Sequence, residues 1–245
     1  MICAIISDIH SNLEALNAAL DSLGSVDAIY CVGDVVGYGP NPNESCEIMR
    51  EKQAVTVLGN HDAAVIGRMA LDWFNSAARD AALWTRDQLT PENREFLECL
   101  PLISHSEHLI MVHGSLSSPD RFEYITSPWE ARPTFDSMED FALCFVGHSH
   151  VAEYYARNVE ELGADQIAMT GGGTIELKPG FRCIVNPGSI GQPRDGNPHA
   201  AFAVYDTDAQ TVEIRRVEYP IGETQEKMRS AGLPETLITR LEYGW

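Results

Sequence analysis

Short apolar runs alternate with helix-period segments from the start of the chain. Residues 2–7 (ICAIIS), 28–33 (AIYCVG) and 54–59 (AVTVLG) are apolar and rich in β-branched side chains, the pattern of buried strands. After the first run, Ser11 and Asn12 offer a helix cap, and Leu13, Leu16, Leu20 and Leu23 recur on one face of an amphipathic helix. After the second, a Gly/Pro/Asn loop leads into a helix over about residues 44–51. Strand–helix–strand–helix–strand predicts right-handed crossovers and a parallel sheet.

From Ala63 to about Leu100 the pattern turns helical, with Thr90-Pro91-Glu92-Asn93 as the cap and first turn of a second helix. Trp73, Phe74 and Trp84 within it read as packing this stretch onto the body, or as a stacking face for a nucleobase or aryl leaving group. Strands return at 108–113, 142–147, 181–186, 200–206 and 211–219, before a polar helical end. No repeat or low-complexity linker interrupts the order, so residues 1–245 are expected to form one α/β domain. Its parallel half followed by a run of strands predicts two packed sheets with helices outside and a helical insert at about 65–100.

Charge narrows the partners. Lys and Arg total 17 against 36 Asp and Glu, a formal net charge of -19. So acidic a surface repels nucleic-acid backbones and anionic membranes, leaving small molecules as the expected partners. No apolar run reaches the roughly 18 residues of a membrane span. The amino terminus is apolar at once and lacks a basic segment, which argues against a secretory signal. Six cysteines carry no C-x-x-C pair, and Cys3, Cys31, Cys144 and Cys183 lie inside apolar runs. They read as reduced core residues of a cytoplasmic protein. The oligomeric state is left open between monomer and homo-oligomer.

The chemistry lies at the strand ends. A polar cluster follows each of five apolar runs: Asp8-Ile9-His10, Gly33-Asp34, Gly59-Asn60-His61-Asp62, His113-Gly114 and Gly147-His148-Ser149-His150. Carboxyl ends of strands form the ligand crevice of open α/β sheets, so the five clusters converge. Carboxylates and neutral imidazoles, with an Asn carbonyl in support, are ligands for divalent metals. His105, His108 and His199 fall outside the clusters.

These motifs, continued by the NPGS segment at 186–189, closely resemble those of the calcineurin-like metallophosphoesterases, over nearly the whole chain. The departure is the insert at 65–100, which resembles a feature of a bacterial and archaeal subgroup. The resemblance implies a four-layer α/β/β/α sandwich of two mixed sheets. It also implies two divalent metals, drawn from Mn, Fe, Zn or Ni with Mn favoured. Asp8, His10, Asp34 and His150 would hold the first, and Asp34, Asn60, His113 and His148 the second.

The implied activity is in-line hydrolysis of a phosphate ester by a metal-bridging hydroxide. His61 is then free to protonate or stabilise the leaving oxygen, with Asp62 orienting its ring. Asn12 and Arg194 are candidate contacts to the substrate, each with a structural alternative: helix capping for Asn12 and a surface ion pair for Arg194. A small phosphodiester or nucleotide is the expected substrate. The competing readings are a dinucleoside polyphosphate hydrolase, a protein serine/threonine phosphatase and a non-catalytic metal-binding scaffold.

Overall fold

The three leading apolar runs pair as parallel strands. In the computed structural model, which describes residues 1–245, β1 (Ile2–Ile6) leads through α1 (Leu13–Ser22) to β2 (Ala28–Cys31). The chain continues through α2 (Pro42–Glu51) to β3 (Val55–Thr56), with β1–β2 and β2–β3 both parallel. Asn12 starts α1 by accepting a hydrogen bond from the Ala15 N–H, and Ala15, Leu16 and Ala19 turn inward at helical spacing.

The helical stretch comprises α3 (Asn60–Val65), α4 (Ser76–Gln88) and α5 (Pro91–Glu98). Thr90 caps α5 as expected, its hydroxyl accepting from the Asn93 N–H ahead of Pro91 in the first turn. Then follow β4 (Ile103–His105), β5 (Ile110–Val112), α6 (Pro128–Ser137) and β6 (Leu143–Phe145). Next come β7 (Ala152–Asn158), β8 (Asp165–Ala168), β9 (Gly173–Glu176), β10 (Phe181–Pro187), β11 (Ala200–Asp206) and β12 (Thr211–Val217). The chain closes with α7 (Ile221–Ser230) and α8 (Glu235–Thr239).

Two six-stranded mixed sheets result, ordered β3-β2-β1-β11-β12-β9 and β4-β5-β6-β10-β7-β8. Between them lies a core of Ile5, Val32, Val57, Met111, Phe145, Val185 and Ala203 with their neighbours. Period-two alternation sends Ala4 and Ile6 of β1 to the other face, where Leu16, Ala19, Met49 and Leu97 cover them. On the far side of the second sheet, Ala131 and Phe135 of α6, with Met138 just after it, pack on Val112, Cys144 and Ile184. Helices, sheet, sheet and helix make the four layers of the expected sandwich. No helix is long and apolar enough to cross a membrane.

Several elements escape the apolar pattern. α6 carries Pro133 in its interior. β7 carries Glu153 and Arg157, whose charges are met inside the fold by Tyr155, Gln166 and Asp136. β4, β8 and β9 are short edge strands, too brief for a period to register. The insert also divides in two. α5 joins the outer layer beside α2, where Asn93 bonds Asn43 and Arg50. The segment from Arg68 through α4 takes a separate position, with Ala78 and Ala81 against Leu237 and Leu241.

The ends of β10 and β1 are laced together: Ile190 N–H donates to the Ser7 carbonyl at 3.0 Å, and Gly191 N–H to that of Asp8 at 2.9 Å. A Cβ on Gly191 would collide with the carbonyl oxygen of Ile9. Gly191→Ala is therefore expected to lose about 1–3 kcal/mol, several degrees of Tm in a thermal melt at this length. An unchanged melting curve would show that the lacing tolerates an added methyl.

Candidate metal centre

Every expected ligand sits at or just past a strand end, and five of them hold backbone conformations that favour glycine. Asp8, His10, Asp34, His148 and His150 have φ of 53°, 49°, 54°, 70° and 61°. Such conformations persist in non-glycine residues only where the surroundings over-determine them, and they cluster at functional sites.

The side chains gather into two groups that share Asp34. Asp8, His10, Asp34 and His150 form one; Asp34, His113 and His148 form the other, and all are buried. Asn60 joins the second, its Oδ1 lying 3.1 Å from His113 Nε2. Each carboxylate is anchored through one oxygen and bare at the other. Asp8 Oδ2 accepts from Ser7 Oγ at 2.6 Å and from the His148 N–H at 3.2 Å. Asp34 Oδ1 accepts from the His61 N–H at 2.8 Å. Asp8 Oδ1 and Asp34 Oδ2 are buried with no hydrogen-bond partner.

The histidine tautomers follow from what the outer ring nitrogen meets. His10 Nδ1, His113 Nδ1 and His150 Nδ1 lie 3.2, 2.7 and 2.6 Å from the carbonyl oxygens of Val36, Val32 and Gln192. A carbonyl only accepts, so each Nδ1 carries the hydrogen, and in the neutral ring Nε2 presents a lone pair inward. His10 Nε2 and His150 Nε2 then face each other at 3.0 Å, with Asp8 Oδ1 3.2 Å from the latter and Asp34 Oδ2 3.5 Å from the former. Lone pairs and bare anionic oxygens this close repel one another unless a cation lies among them. The donor set, carboxylate and imidazole around a shared Asp, fits a pair of divalent ions.

Burial sets the protonation of this cluster. It holds His10 and His148 well below the ordinary imidazole pKa, and His150 below it too, so these rings are neutral and ready to ligate. Burial also disfavours charge on His113, but the Asp34 carboxylate 3.3 Å away outweighs it and pushes the pKa up to about 9. Burial would raise the two carboxyls. Instead His150 and His113 beside Asp8, and His113 and His61 beside Asp34, keep both below the usual carboxylate range.

His61 lines a cleft that also reaches Asn60 and His148. Its ring lies between Tyr38, 4.3 Å away, and Phe74, 4.8 Å away in an edge-on contact. Its buried Nδ1 has no partner, and burial pushes its pKa down to about 4. The cleft, of about 820 Å³, is lined by Asn60, His61 and His148, by Tyr38, and by residues of the insert and of the 120–124 loop.

Two expectations change here. Asp62 does not orient His61: its carboxylate accepts from the N–H groups of Val35, Val36 and Gly59 at 3.3, 3.0 and 3.1 Å. Consecutive helical residues point about 100° apart, so Asp62 faces the Asp34 loop instead. Asn12 caps α1 and spends its remaining atoms on the Gly191 carbonyl, Tyr219 and Thr224, leaving none for a substrate. Arg194 donates to Tyr38 Oη and Gln192 Oε1 at 3.1 Å each; it does not line the cleft, yet beside burial its charge helps hold the pKa values of His10, His61 and His150 down. Sequence reasoning missed Tyr124, whose ring stacks on His148 at 3.8 Å, and Tyr38, which packs against His10 and His61. Neither sits in a motif of ligating types. Only the GDVVGYGP context of Tyr38 beside Asp34 pointed toward the site.

Comparison with known proteins agrees with this geometry. The profile of the calcineurin-like phosphoesterase superfamily domain matches residues 1–210. An uncharacterised protein of Methanocaldococcus jannaschii is 40% identical over 248 residues, covering 98% of this chain and 97% of its own. The crystal structure of a metallophosphoesterase from Sphaerobacter thermophilus is 45% identical and superposes with a TM-score of 0.88, covering 100% of this chain and 99% of that one. A symmetrical bis(5'-nucleosyl)-tetraphosphatase of Aliivibrio salmonicida is 28% identical over 132 residues, spanning 49% of this chain and 47% of its own.

Proton release is the measurable consequence of the His113 environment. Below a pKa of about 9 the metal-free protein carries a proton on His113, which a cation at Nε2 must displace. Mn2+ uptake at pH 7 is expected to release one proton per chain from His113, falling toward none as pH rises past about 9. Calorimetry in buffers of different ionisation enthalpy reads this number. Uptake that is proton-independent at pH 7 would contradict the charge assigned to His113.

Proposed function

The chain belongs to the calcineurin-like phosphoesterase superfamily and is a phosphoester hydrolase; from that premise we propose that it is a dinuclear metal-dependent phosphodiesterase acting on small phosphate esters or nucleotides. One observation carries the reading. Inward-facing imidazole lone pairs and two bare carboxylate oxygens gather in a buried cluster that meets a cleft at Asn60 and His148, where an unpartnered His61 also lines the wall.

Asp8, His10, Asp34 and His150 would hold one ion, and Asp34, Asn60, His113 and His148 the other, with manganese the favoured metal. When bound, the ions supply Lewis-acid charge for the phosphoryl oxygens and lower the pKa of a water. The protein's own groups do the rest. Backbone carbonyls of Val32, Val36 and Gln192 keep three imidazoles in the ligating tautomer. Tyr124 stacked on His148 limits rotation of that ring. Asp62 ties the Asp34 loop to the start of α3, which sets the bare oxygen of Asp34 relative to Asn60.

His61 stays neutral, so it serves the departing group as a hydrogen-bond donor that stabilises the developing oxyanion, and the leaving oxygen takes its proton from water. Overall, a diester and water give a monoester and an alcohol. The cleft admits a small ester more readily than the surface of a folded phosphoprotein, because the insert forms one of its walls. A second reading, a dinucleoside polyphosphate hydrolase, is favoured by the partial similarity to a bis(5'-nucleosyl)-tetraphosphatase.

The Mn2+-loaded chain is expected to cleave bis(4-nitrophenyl) phosphate faster than 4-nitrophenyl phosphate. A panel extended to cyclic nucleotides and dinucleoside polyphosphates, with products identified, ranks the two readings. Metal bound without cleavage of any ester would support a scaffold instead. His61→Ala is expected to lower kcat by about 10²–10³ with bound metal unchanged. Full activity in that variant would remove His61 from the chemistry.

A further inference from the structure

One part of the cleft lining is not accounted for by the chemistry of the metal centre. The turn Leu71–Trp73 of the insert precedes Phe74, whose ring is spent on His61 and on the packing around Ala78. Trp73 lines the same cleft, yet it is 87% exposed. It does not fasten the insert to the body. A large, rigid indole at the mouth of a polar cleft offers a flat face to a planar ligand.

Two arginines share the cleft with it. Arg68 and Arg121 both line the cleft, in a chain with 36 acidic and 17 basic residues. The arginines in ion pairs are Arg94, Arg132, Arg157, Arg215, Arg216 and Arg229, so neither cleft arginine has a carboxylate partner. Arg68 donates one N–H to the Glu98 carbonyl at 2.7 Å, which steadies the side chain and leaves its charge uncompensated. Asp120 and Glu123 share the rim. Their charge makes the wall a poor site for a bare anion, so recognition there needs a ring as well as a phosphate.

We propose that Trp73, Arg68 and Arg121 form a subsite for the part of the ester beyond the scissile phosphate. An aromatic base stacks on the Trp73 indole, and Arg68 and Arg121 hold a further phosphate, which together specify a nucleoside polyphosphate. The subsite deepens the hydrolase reading above and rests on it. These are specificity-determining residues, not ligating ones, and they belong to the segments 68–74 and 120–124.

Binding separates the two halves of the subsite without any turnover. Calorimetry on the Mn2+-loaded full chain would compare AMP, ADP and inorganic pyrophosphate. Trp73→Ala is expected to weaken AMP and ADP about tenfold while leaving pyrophosphate within about twofold. The double variant Arg68→Ala/Arg121→Ala is expected to weaken ADP about tenfold and AMP far less. Trp129→Ala, at an exposed position of α6 outside the cleft, controls for general loss of an indole. Equal weakening of all three ligands by either variant, or no weakening by either, would overturn the subsite. If that dissociation is seen but no ester is cleaved, the subsite stands and the hydrolase reading fails. If bis(4-nitrophenyl) phosphate is cleaved and the dissociation is absent, the subsite alone is wrong.

Discussion

Two carboxylates without water shape the centre of this molecule. Asp8 and Asp34 are fully buried, and an isolated buried anion is too costly to persist without compensating charge and hydrogen bonds. The fold answers with one anchored oxygen on each, held by Ser7 and the His148 N–H in one case and by the His61 N–H in the other. The second oxygens remain bare and face imidazoles whose outer nitrogens are tethered to main-chain carbonyls. A cation is what such an arrangement lacks, and in its absence His113 takes up a proton.

That constraint reaches outward into the backbone. Holding both carboxylates over the strand ends requires the left-handed turns at Asp8, His10 and Asp34. Keeping the Asp34 loop against α3 requires the Asp62 bonds. Glycine at 59 is demanded by the same proximity, because a Cβ there would run into Asp34 itself. Asp8, His10, Asp34 and Asn60 come from the first sheet and His113, His148 and His150 from the second, so the apolar core between the sheets sets their mutual distances. A methylene lost from Val32 or Phe145 is thus felt at the centre as well as in stability.

The electrostatic layout is uneven. The surface as a whole is strongly acidic, which suits solubility and repels polyanions. The cleft departs from it, with two unpaired arginines and an exposed indole among its lining residues. A small anion with a planar group meets a local environment that the net charge conceals.

Much of this was legible in the chain because the relevant signals are local. Apolar runs of five to seven residues announced β1, β2, β10 and β11. Each was followed by, or paired beside, a cluster of ligating residue types, and such types at successive strand ends must converge. Less was legible where long-range partners decide the outcome. β7 hides behind Glu153 and Arg157, which become tolerable in a strand only once Tyr155 and Asp136 meet them. Asp62, next to His61 in sequence, faces the other way because a helix turns about 100° per residue. Asn12 and Arg194 are drawn inward by Gly191, Tyr219 and Tyr38, residues that sequence distance separates from them. The sequence by itself determined the fold class and the chemical kind of the centre, since period and residue type are properties of short stretches. Only the tertiary structure decided tautomers, charges and the cleft wall, since those depend on which distant groups come within a few ångströms.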